Sequence, residues 1–328
     1  MSYRLATITQ VTRSSSRVSQ RGTVFPIVEA YGYHHSSTSP EARNTWAQEY
    51  CPFAKMPCEK KRQYHYGYCS VTYAAGWDKG KRRTYAVCDH RLDGPPVQWA
   101  VTDYFGQREA TLVPEVTITD SPKLNIDYMA FVDDPSADGG TDIIAIETQA
   151  IDLRGGGVGP AWEAWEEGDV PNWRAYFTKE AKAKNRRDTV DYGVNTGNVY
   201  KRLGTQVAAK GEILKQVHIP LYVVMQQIIF EQLRARVNFE PVDEGEPWDI
   251  TFVGFDYDAE PDQTGQLPMS LKTVVRTSLE NYVTAMMSSS AGDLLRHDVI
   301  ARAKRKAKPP ELQGDLLSEL GLDIPTNP

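Results

Sequence analysis

The chain has 328 residues, of which 41% are hydrophobic, 24% are charged and 10% are aromatic. This is the composition of an ordinary soluble globular protein, and the length allows one large domain or two ordinary ones without disulfide staples. No apolar run approaches the ~18 residues of a membrane span, and the N-terminus lacks the apolar core of a secretory signal. We therefore expect a cytoplasmic protein with no membrane partner, and a transit peptide remains a minor alternative. The net charge of -6 argues weakly against nucleic acid.

Positive charge is concentrated in three segments of the chain. Residues 1–28 contain four Arg and no acidic residue, residues 51–91 contain nine Lys or Arg against three acidic residues, and residues 301–308 contain five Lys or Arg and no acidic residue. Seven aromatic residues also lie within 51–91. Basic and aromatic residues in one segment are typical of a surface that holds a polyanion, so we interpret 51–91 as a nucleic-acid contact. For 301–308 alone, ordinary solvated surface is the preferred interpretation.

The pattern along the chain predicts an N-terminal arm, a cysteine-bearing segment and an α/β body. Residues 1–50 are expected to form an arm with short strands, and residues 51–95 a loop-rich segment with little core of its own. Two β-rich runs separated by a turn cluster then predict a hairpin, which begins a compact α/β unit. The predicted elements are strands at 124–132 and 142–151, a turn at 135–140, a flexible loop at 155–160, helices at 161–187 and 198–217, a strand at 220–225, a helix at 226–237, a strand at 248–257, and helices at 271–287 and 293–304.

All four cysteines fall within 38 residues, at Cys51, Cys58, Cys69 and Cys88. Disulfide frameworks are typical of small secreted proteins, so four thiols in one segment of a large cytosolic chain favour a tetrahedral all-thiolate metal site. The gaps of 6, 10 and 18 residues lack paired Cys-x-x-Cys spacing, and four unrelated thiols are the alternative. Four thiolates close a coordination shell, so the predicted role of the metal is structural.

Carboxylates lie in the two strands of the predicted hairpin. Residues i and i+2 of a strand share a face, so Glu147 and Gln149 project together, and a hairpin can bring Asp127 across from Glu147. Two such carboxylates can hold Mg²⁺ and leave positions for water and a phosphate. This is the Asp…(Asp/Glu)-x-Lys pattern of a large nuclease superfamily, with Gln149 in the lysine position. Glutamine can orient a water but supplies no positive charge, so the metal must lower the pKa of that water.

Glu115 precedes Asp127 by twelve residues. Its side chain is either a further metal ligand, a carboxylate of the metal's outer shell, or an exposed glutamate at a strand edge. The residues leave these possibilities open.

The segments CPFAKMPC, YCSVTY and AVCDHR, followed by NIDYMAF and IIAIETQ, resemble the NotI/EagI group of type II restriction endonucleases over roughly residues 40–240. The resemblance implies an α/β protein with a PD-(D/E)xK core, in which a central mixed sheet is flanked by helices, and a small four-cysteine metal-binding subdomain. It further implies a bacterial, cytoplasmic homodimer that cleaves a GC-rich palindromic site in double-stranded DNA with Mg²⁺. A cognate DNA methyltransferase is expected in the same system, not as a bound subunit.

Carried over by position, the resemblance assigns Asp127, Glu147 and Gln149 as the catalytic triad and Glu115 as an upstream acidic ligand. Asp127 and Glu147 would hold Mg²⁺, and the four cysteines would hold one structural iron or zinc. The predicted domains are the N-terminal arm at 1–50, the four-cysteine subdomain at 51–95, the catalytic domain at 96–300, and a basic and then acidic tail at 301–328.

Guanine is read best by Arg or Lys in the major groove, so Arg82, Arg83 and Arg154 are candidate base contacts. For any one of them, a phosphate contact or plain surface is the alternative. A two-fold symmetric dimer would place one active site at each strand of a palindrome. Two other functions remain open: a structure-selective repair nuclease of the same fold, and a non-catalytic, metal-stapled DNA-binding protein.

Overall fold

The computed structural model describes residues 24–121, 123–155, 157–186, 190, 192–195, 197, 199–258, 260–288 and 295–307. The four arginines predicted for the N-terminal arm and the acidic end of the tail lie outside these residues. Met1–Met286 form one compact unit and Met287–Pro328 a second. No helix in the described ranges is long and apolar enough to cross a membrane. The predicted domain boundaries at 50, 95 and 300 remain predictions.

Strands and helices alternate through most of the first unit. The strands in chain order are β1 Ile27–Ala30, β2 Tyr33–His34, β3 Tyr50–Cys51, β4 Met56–Pro57, β5 Tyr68–Ala74, β6 Arg82–Ala86, β7 Thr111–Asp120, β8 Lys123–Asp133, β9 Thr141–Gln149, β10 Leu153–Gly155, β11 Tyr192–Val194, β12 Leu221–Gln226, β13 Ile250–Tyr257 and β14 Met269–Thr277. The helices are α1 Pro40–Ala47, α2 Glu59–Tyr64, α3 Pro95–Phe105, α4 Gly159–Glu166, α5 Trp173–Ala183, α6 Gly204–Gln216, α7 Gln227–Arg234, α8 Leu279–Ser288 and, in the second unit, α9 Arg296–Ala307.

A mixed six-stranded sheet forms the centre of the first unit, in the order β14-β13-β12-β9-β8-β7. Strands β7, β8 and β9 form an antiparallel meander, β12 lies parallel between β9 and β13, and β14 closes the far edge antiparallel to β13. Every residue of β12 is buried, as expected for a parallel strand covered on both faces. The fold is therefore mixed α/β, with a central mixed sheet flanked by helices.

The two faces of this sheet pack against different elements. On one face, apolar residues of α3 pack against Ile144, Ile146 and Tyr222. On the other face, Ala145 and Val223 pack against apolar residues of α6 and α7. Because side chains alternate along a strand, Glu147 and Gln149 project on the same side of β9 as Ala145, toward α6.

A second sheet, antiparallel and in the order β2-β1-β5-β6, joins the predicted arm to the cysteine-bearing segment. Six of the seven residues of β5 are buried, and Val71, Tyr73 and Tyr85 are at most 2% exposed. The segment predicted to be loop-rich thus contains two paired strands, and its buried residues belong to the main hydrophobic cluster rather than to a core of their own. Alternating apolar residues on β5 and β6 pack into the main hydrophobic cluster, which a loop-rich segment could not do.

Three of the aromatic residues of 51–91 belong to this core rather than to the protein surface. Tyr68, Tyr73 and Tyr85 are buried, whereas Tyr64 is 61% exposed. The side chain of Trp77 lies outside what the structure describes. Aromatic residues among basic ones were interpreted as a polyanion surface, and for these three tyrosines that interpretation is wrong because their rings fill the protein interior.

The predicted hairpin is confirmed as β8 and β9, and the predicted elements at 161–187, 198–217, 220–225, 226–237 and 248–257 are each found within a few residues. The predicted helix at 271–287 is wrong, because β14 occupies Met269–Thr277 and only then does α8 begin. Val274, Val275 and Thr277 are β-branched, and pairing with β13 overrides the helical spacing of the apolar residues.

Candidate active site

Three carboxylate residues lie side by side on the three strands of the β7–β8–β9 meander. Pro114 pairs with Tyr128 and Val116 with Ile126, which places Glu115 opposite Asp127. The pairing of β8 with β9 ends at Tyr128 and Ile146, and Asp127 and Glu147 are the next residues beyond that pair. Directly opposed residues project on the same face of a sheet. The strand register therefore places Glu115, Asp127 and Glu147 at neighbouring backbone positions on three adjacent strands, and we call these three residues the acidic row.

Hydrogen bonds from backbone N–H groups link Asp127 to the strand segment that carries Glu147. The Thr148 backbone N–H donates to Asp127 Oδ2 at 2.8 Å, and the Thr148 hydroxyl lies 3.3 Å from the same oxygen. Burial, and then the charge of Asp127, raises the pKa of Glu147 to about 7, while Lys210 and the Asp127 backbone N–H act in the opposite direction. Two carboxylates this close repel each other when both are ionised, so the pair attracts a cation.

Glu147 is only 8% exposed, and its Oε1 is held by the Lys210 ammonium, whose Nζ lies 2.6 Å away. A buried oxygen of this kind, beside a second carboxylate, suits a hard cation such as Mg²⁺. Within the described ranges, no three His, Cys, Asp or Glu side chains are already grouped closely enough to hold a metal. Asp127 and Glu147 remain the predicted Mg²⁺ ligands.

Gln149 and Glu115 occupy the margins of this pair. The Gln149 Nε2 donates to the Ala150 carbonyl at 2.5 Å, so the carboxamide is anchored and its oxygen is the atom able to accept a hydrogen bond or contact a cation. Glu115 is exposed and has a left-handed φ of 53°, which is unusual within a strand for a residue other than glycine. Strained backbone of this kind often occurs at functional sites.

One further charged residue, which the sequence analysis missed, reaches the acidic row. Lys210, on α6, is 8% exposed, and its Nζ lies 2.6 Å from Glu147 Oε1. The pattern of α6 contains an indication of it. Leu203, Val207 and Leu214 form the buried stripe of this helical segment, and Lys210 occupies a position in that stripe where an apolar residue is expected.

A cleft of about 1970 Å³ opens over these residues, lined by Glu115, Asp127, Glu147, Gln149 and Lys210 among others. The same cleft extends to Cys88 and the residues that follow it. Its volume exceeds the ~300–1,000 Å³ of pockets that enclose small ligands. The predicted catalytic residues and part of the cysteine segment thus line one continuous cavity.

All four cysteines are free thiols, three of them buried and Cys88 partly buried. Burial raises the pKa of Cys69, and the nearby Cys88, Cys51 and Cys58 raise it further. Burial likewise raises the pKa of Cys88 to about 12, which Lys60 partly offsets. In the described part of the chain, the thiols are not grouped as closely as a bound metal requires.

Backbone N–H groups point at three of the four sulfur atoms. Ala54 donates to Cys51 Sγ at 3.4 Å and Gly32 to Cys69 Sγ at 3.2 Å. For Cys58, the N–H groups of Lys60 and Lys61 lower the pKa of the thiol against the effect of burial. Such N–H···S contacts would stabilise thiolate ligands, but among the described residues the four thiols are not grouped as a metal site requires, so the tetrathiolate site remains a prediction.

Polar contacts connect the cysteine segment to the strands of the acidic row. The Ala150 backbone N–H donates to Asp89 Oδ1 at 3.2 Å, just beyond Gln149. His90 lies 2.6 Å from the carboxylate of Asp93, which in turn is hydrogen-bonded to Tyr128, the neighbour of Asp127. These hydrogen bonds therefore join the cysteine segment to residues directly next to Gln149 and Asp127.

Replacing His90 with Gln should destabilise the protein in a pH-dependent manner. The hydrogen bond to Asp93, followed by the charges of Asp93 and Glu59, raises the pKa of His90 to about 9. The imidazolium thus stabilises the fold fully below its unfolded pKa of about 6.5, and this contribution is lost as the pH rises through about 9. We expect wild type to exceed His90→Gln in free energy of unfolding by about 2 kcal/mol more at pH 6 than at pH 10. Urea denaturation at both pH values measures the difference, and a pH-independent difference would contradict the assignment.

The candidate base-reading arginines lie elsewhere. Arg83 Nε is 2.6 Å from Asp78 Oδ2, and neither Arg82 nor Arg83 is among the residues that line the cleft in the described part of the chain. Both are on β6, at an edge of the second sheet. Arg154 is on β10, and its side chain lies outside what the structure describes. The base-contact assignments therefore remain predictions.

Comparison with known protein families, with curated proteins and with solved structures finds no match for this chain.

Proposed function

We propose that the protein is a Mg²⁺-dependent, site-specific endonuclease that hydrolyses phosphodiester bonds in double-stranded DNA. The observation that carries this proposal is the acidic row, with Asp127 and Glu147 on adjacent strands at the floor of a large cleft. A PD-(D/E)xK-type core presents its metal-binding carboxylates from a hairpin in this manner, and the resemblance to the NotI/EagI group points to the same core. That resemblance also supports a homodimer and a GC-rich palindromic site.

Each residue of the proposed site has a defined task. Mg²⁺, when bound, would polarise the scissile phosphate and make a water molecule more acidic. Asp127 and Glu147 supply the negative charge that retains the cation, and Gln149 positions the attacking water with its carboxamide oxygen. Glu115 is exposed at the mouth of the cleft and can accept a hydrogen bond from a water in the outer shell of the cation.

The proposed structural metal, iron or zinc, would be held by Cys51, Cys58, Cys69 and Cys88. Its effect would be to fix the second sheet and the segment after β6 against the strands that carry the acidic row. The hydrogen bond from the Ala150 N–H to Asp89 joins residues next to both sites, since Asp89 follows Cys88 and Ala150 follows Gln149.

Purified protein should contain one iron or zinc atom per chain, and Cys88→Ser should lose it. Four ligands close the shell, so loss of one thiolate weakens binding severely and removes the constraint on residues 51–91. Elemental analysis by mass spectrometry and thiol titration measure the two quantities. A folded wild-type protein with no bound metal and four titratable thiols would refute the site.

The proposed function is tested by digesting long DNA of known sequence with Mg²⁺ and sequencing the fragment ends. Discrete fragments with a common sequence at every end are expected. Diffuse or end-dependent products would indicate a structure-selective repair nuclease instead, and binding without cleavage under any divalent cation would indicate a non-catalytic DNA-binding protein. A DNA methyltransferase gene next to the gene for this chain would support a restriction system.

A further inference from the structure

Helix α6 and the π-helical turn before it, Val199–Leu203, place three polar side chains along the cleft. Arg202, Gln206 and Lys210 are spaced four residues apart, which places them on one helical face, and all three line the cleft. Arg202 and Gln206 are exposed near its rim, whereas Lys210 is buried. The face therefore ends at the acidic row with a single ammonium group.

Burying an ammonium group at this position costs desolvation free energy, so we expect its charge to have a function. Lys210 lies in the apolar stripe of α6 between Val207 and Leu214, where a Met or Leu would pack without desolvating a charge. Its close ionic contact is with Glu147 Oε1, at 2.6 Å. The charge is thus directed at an oxygen that a catalytic cation would also contact.

We propose that Lys210 supplies to the scissile phosphate the positive charge that Gln149, in the lysine position of the motif, cannot supply. The proposal rests on the proposed nuclease function. Without substrate, the ammonium neutralises Glu147. With a cation and a phosphodiester bound, Glu147 would pair with the cation, and the Lys210 ammonium would be free to donate to a non-bridging phosphate oxygen or to the attacking water. Glu147 and Gln149 flank this position on the same face of β9, within reach of α6.

The chemistry of the step is balanced without a base from Lys210. The water oxygen forms a bond to phosphorus and one phosphorus–oxygen ester bond breaks. The proton lost by the water passes to solvent, and the leaving oxygen takes a proton from solvent. Lys210 keeps its protons throughout and stabilises the negative charge that increases on the phosphate oxygens in the transition state.

The test compares wild type, Lys210→Met, and the double variant Gln149→Lys/Lys210→Met, which moves the ammonium back onto β9. Single-turnover cleavage with Mg²⁺, DNA affinity with Ca²⁺, and urea denaturation are measured for each. We expect Lys210→Met to reduce the cleavage rate by roughly 100- to 1000-fold, with DNA affinity changed only a few-fold. The double variant should recover at least roughly tenfold of that loss, since the same charge reaches the phosphate from the neighbouring strand.

Lys215→Met is the matched control, because Lys215 is on the same helix and forms an exposed ion pair with Asp249 at 2.9 Å. It should cleave at the wild-type rate. If Lys210→Met does not fold, Lys210→Gln, which keeps a polar partner for Glu147, takes its place. Wild-type cleavage by a folded Lys210 variant, or no recovery in a folded double variant, overturns the proposed role of Lys210 alone. A wild-type protein that cleaves no DNA overturns the proposed nuclease function, and the role of Lys210 with it.

Discussion

Asp127→Asn should reduce the rate of DNA cleavage by at least roughly a thousandfold, because it removes half of the negative charge that retains the catalytic cation. The fold should survive. An asparagine oxygen can accept the same hydrogen bond that the Thr148 backbone N–H donates to Asp127 Oδ2 at 2.8 Å. The melting temperature of the metal-free protein should not fall, since the charge of Asp127 raises the pKa of Glu147 and is repulsive to its carboxylate. Cleavage of a plasmid carrying the recognition site and thermal denaturation measure the two effects.

Asp133→Asn provides the matched control for that substitution. Asp133 ends the same strand, β8, where it pairs with Thr141 at the opposite end of the hairpin. It is exposed and is not among the residues that line the cleft. The control should cut at the wild-type rate. If Asp127→Asn also cuts at that rate, the catalytic assignment is wrong, whatever the remaining residues do.

Glu29→Ala should destabilise the protein by about 3–5 kcal/mol, the usual cost of removing one partner of a buried ion pair. Arg91 Nε donates to both carboxylate oxygens of Glu29, at 2.9 and 3.0 Å, and both residues are buried. Tyr257 also donates to Glu29, at 2.9 Å. An arginine cannot lose its proton to escape the unpaired state, so the variant retains a buried charge. The shift in the urea midpoint, at constant denaturant dependence, measures the loss.

Arg108→Ala is the comparison that separates burial from pairing. Arg108 forms two ion pairs, with Asp142 at 2.6 Å and Asp134 at 3.3 Å, but its side chain is 41% exposed. Exposed pairs contribute at most about 1 kcal/mol, so this variant should lose far less stability than Glu29→Ala. Equal losses of stability for the two variants would show that burial of the Glu29–Arg91 pair does not increase its contribution. The double variant Glu29→Ala/Arg91→Met should be more stable than Glu29→Ala, because no charge is left unpaired.

Local patterns predicted the central part of this fold well. The alternating residues of β8 and β9 and the turn cluster between them identify the hairpin, since pairing of adjacent strands needs only neighbouring sequence. Strand β14 was predicted as a helix because its apolar residues fit both periods, and only the presence of β13 as a pairing partner selects the strand. The second sheet was missed for the same reason: β1 pairs with β5 across almost forty intervening residues.

The candidate site shows the same difference between local and long-range contacts. Asp127, Glu147 and Gln149 could be placed together from the sequence, because one hairpin carries all three. Lys210 could not, because it reaches Glu147 from a helix 63 residues away in sequence. A lysine in the apolar stripe of a helix indicates that its charge is used somewhere, but the partner is defined only by tertiary packing. The aromatic residues of 51–91 show the opposite error, in which composition suggested a surface and packing made a core.

The order of strands in the central sheet also bears on how the protein folds. The acidic row is contributed by consecutive strands, β7, β8 and β9, joined by short turns, whereas α6 and the parallel strand β12 arrive after a long crossover. Closing short loops costs less chain entropy than closing long ones, so contacts within the meander are expected to form earlier. The carboxylates would then be gathered before Lys210 is available to offset their charge. Refolding should accordingly be faster at low pH, or in salt that screens the repulsion, than at neutral pH in dilute buffer.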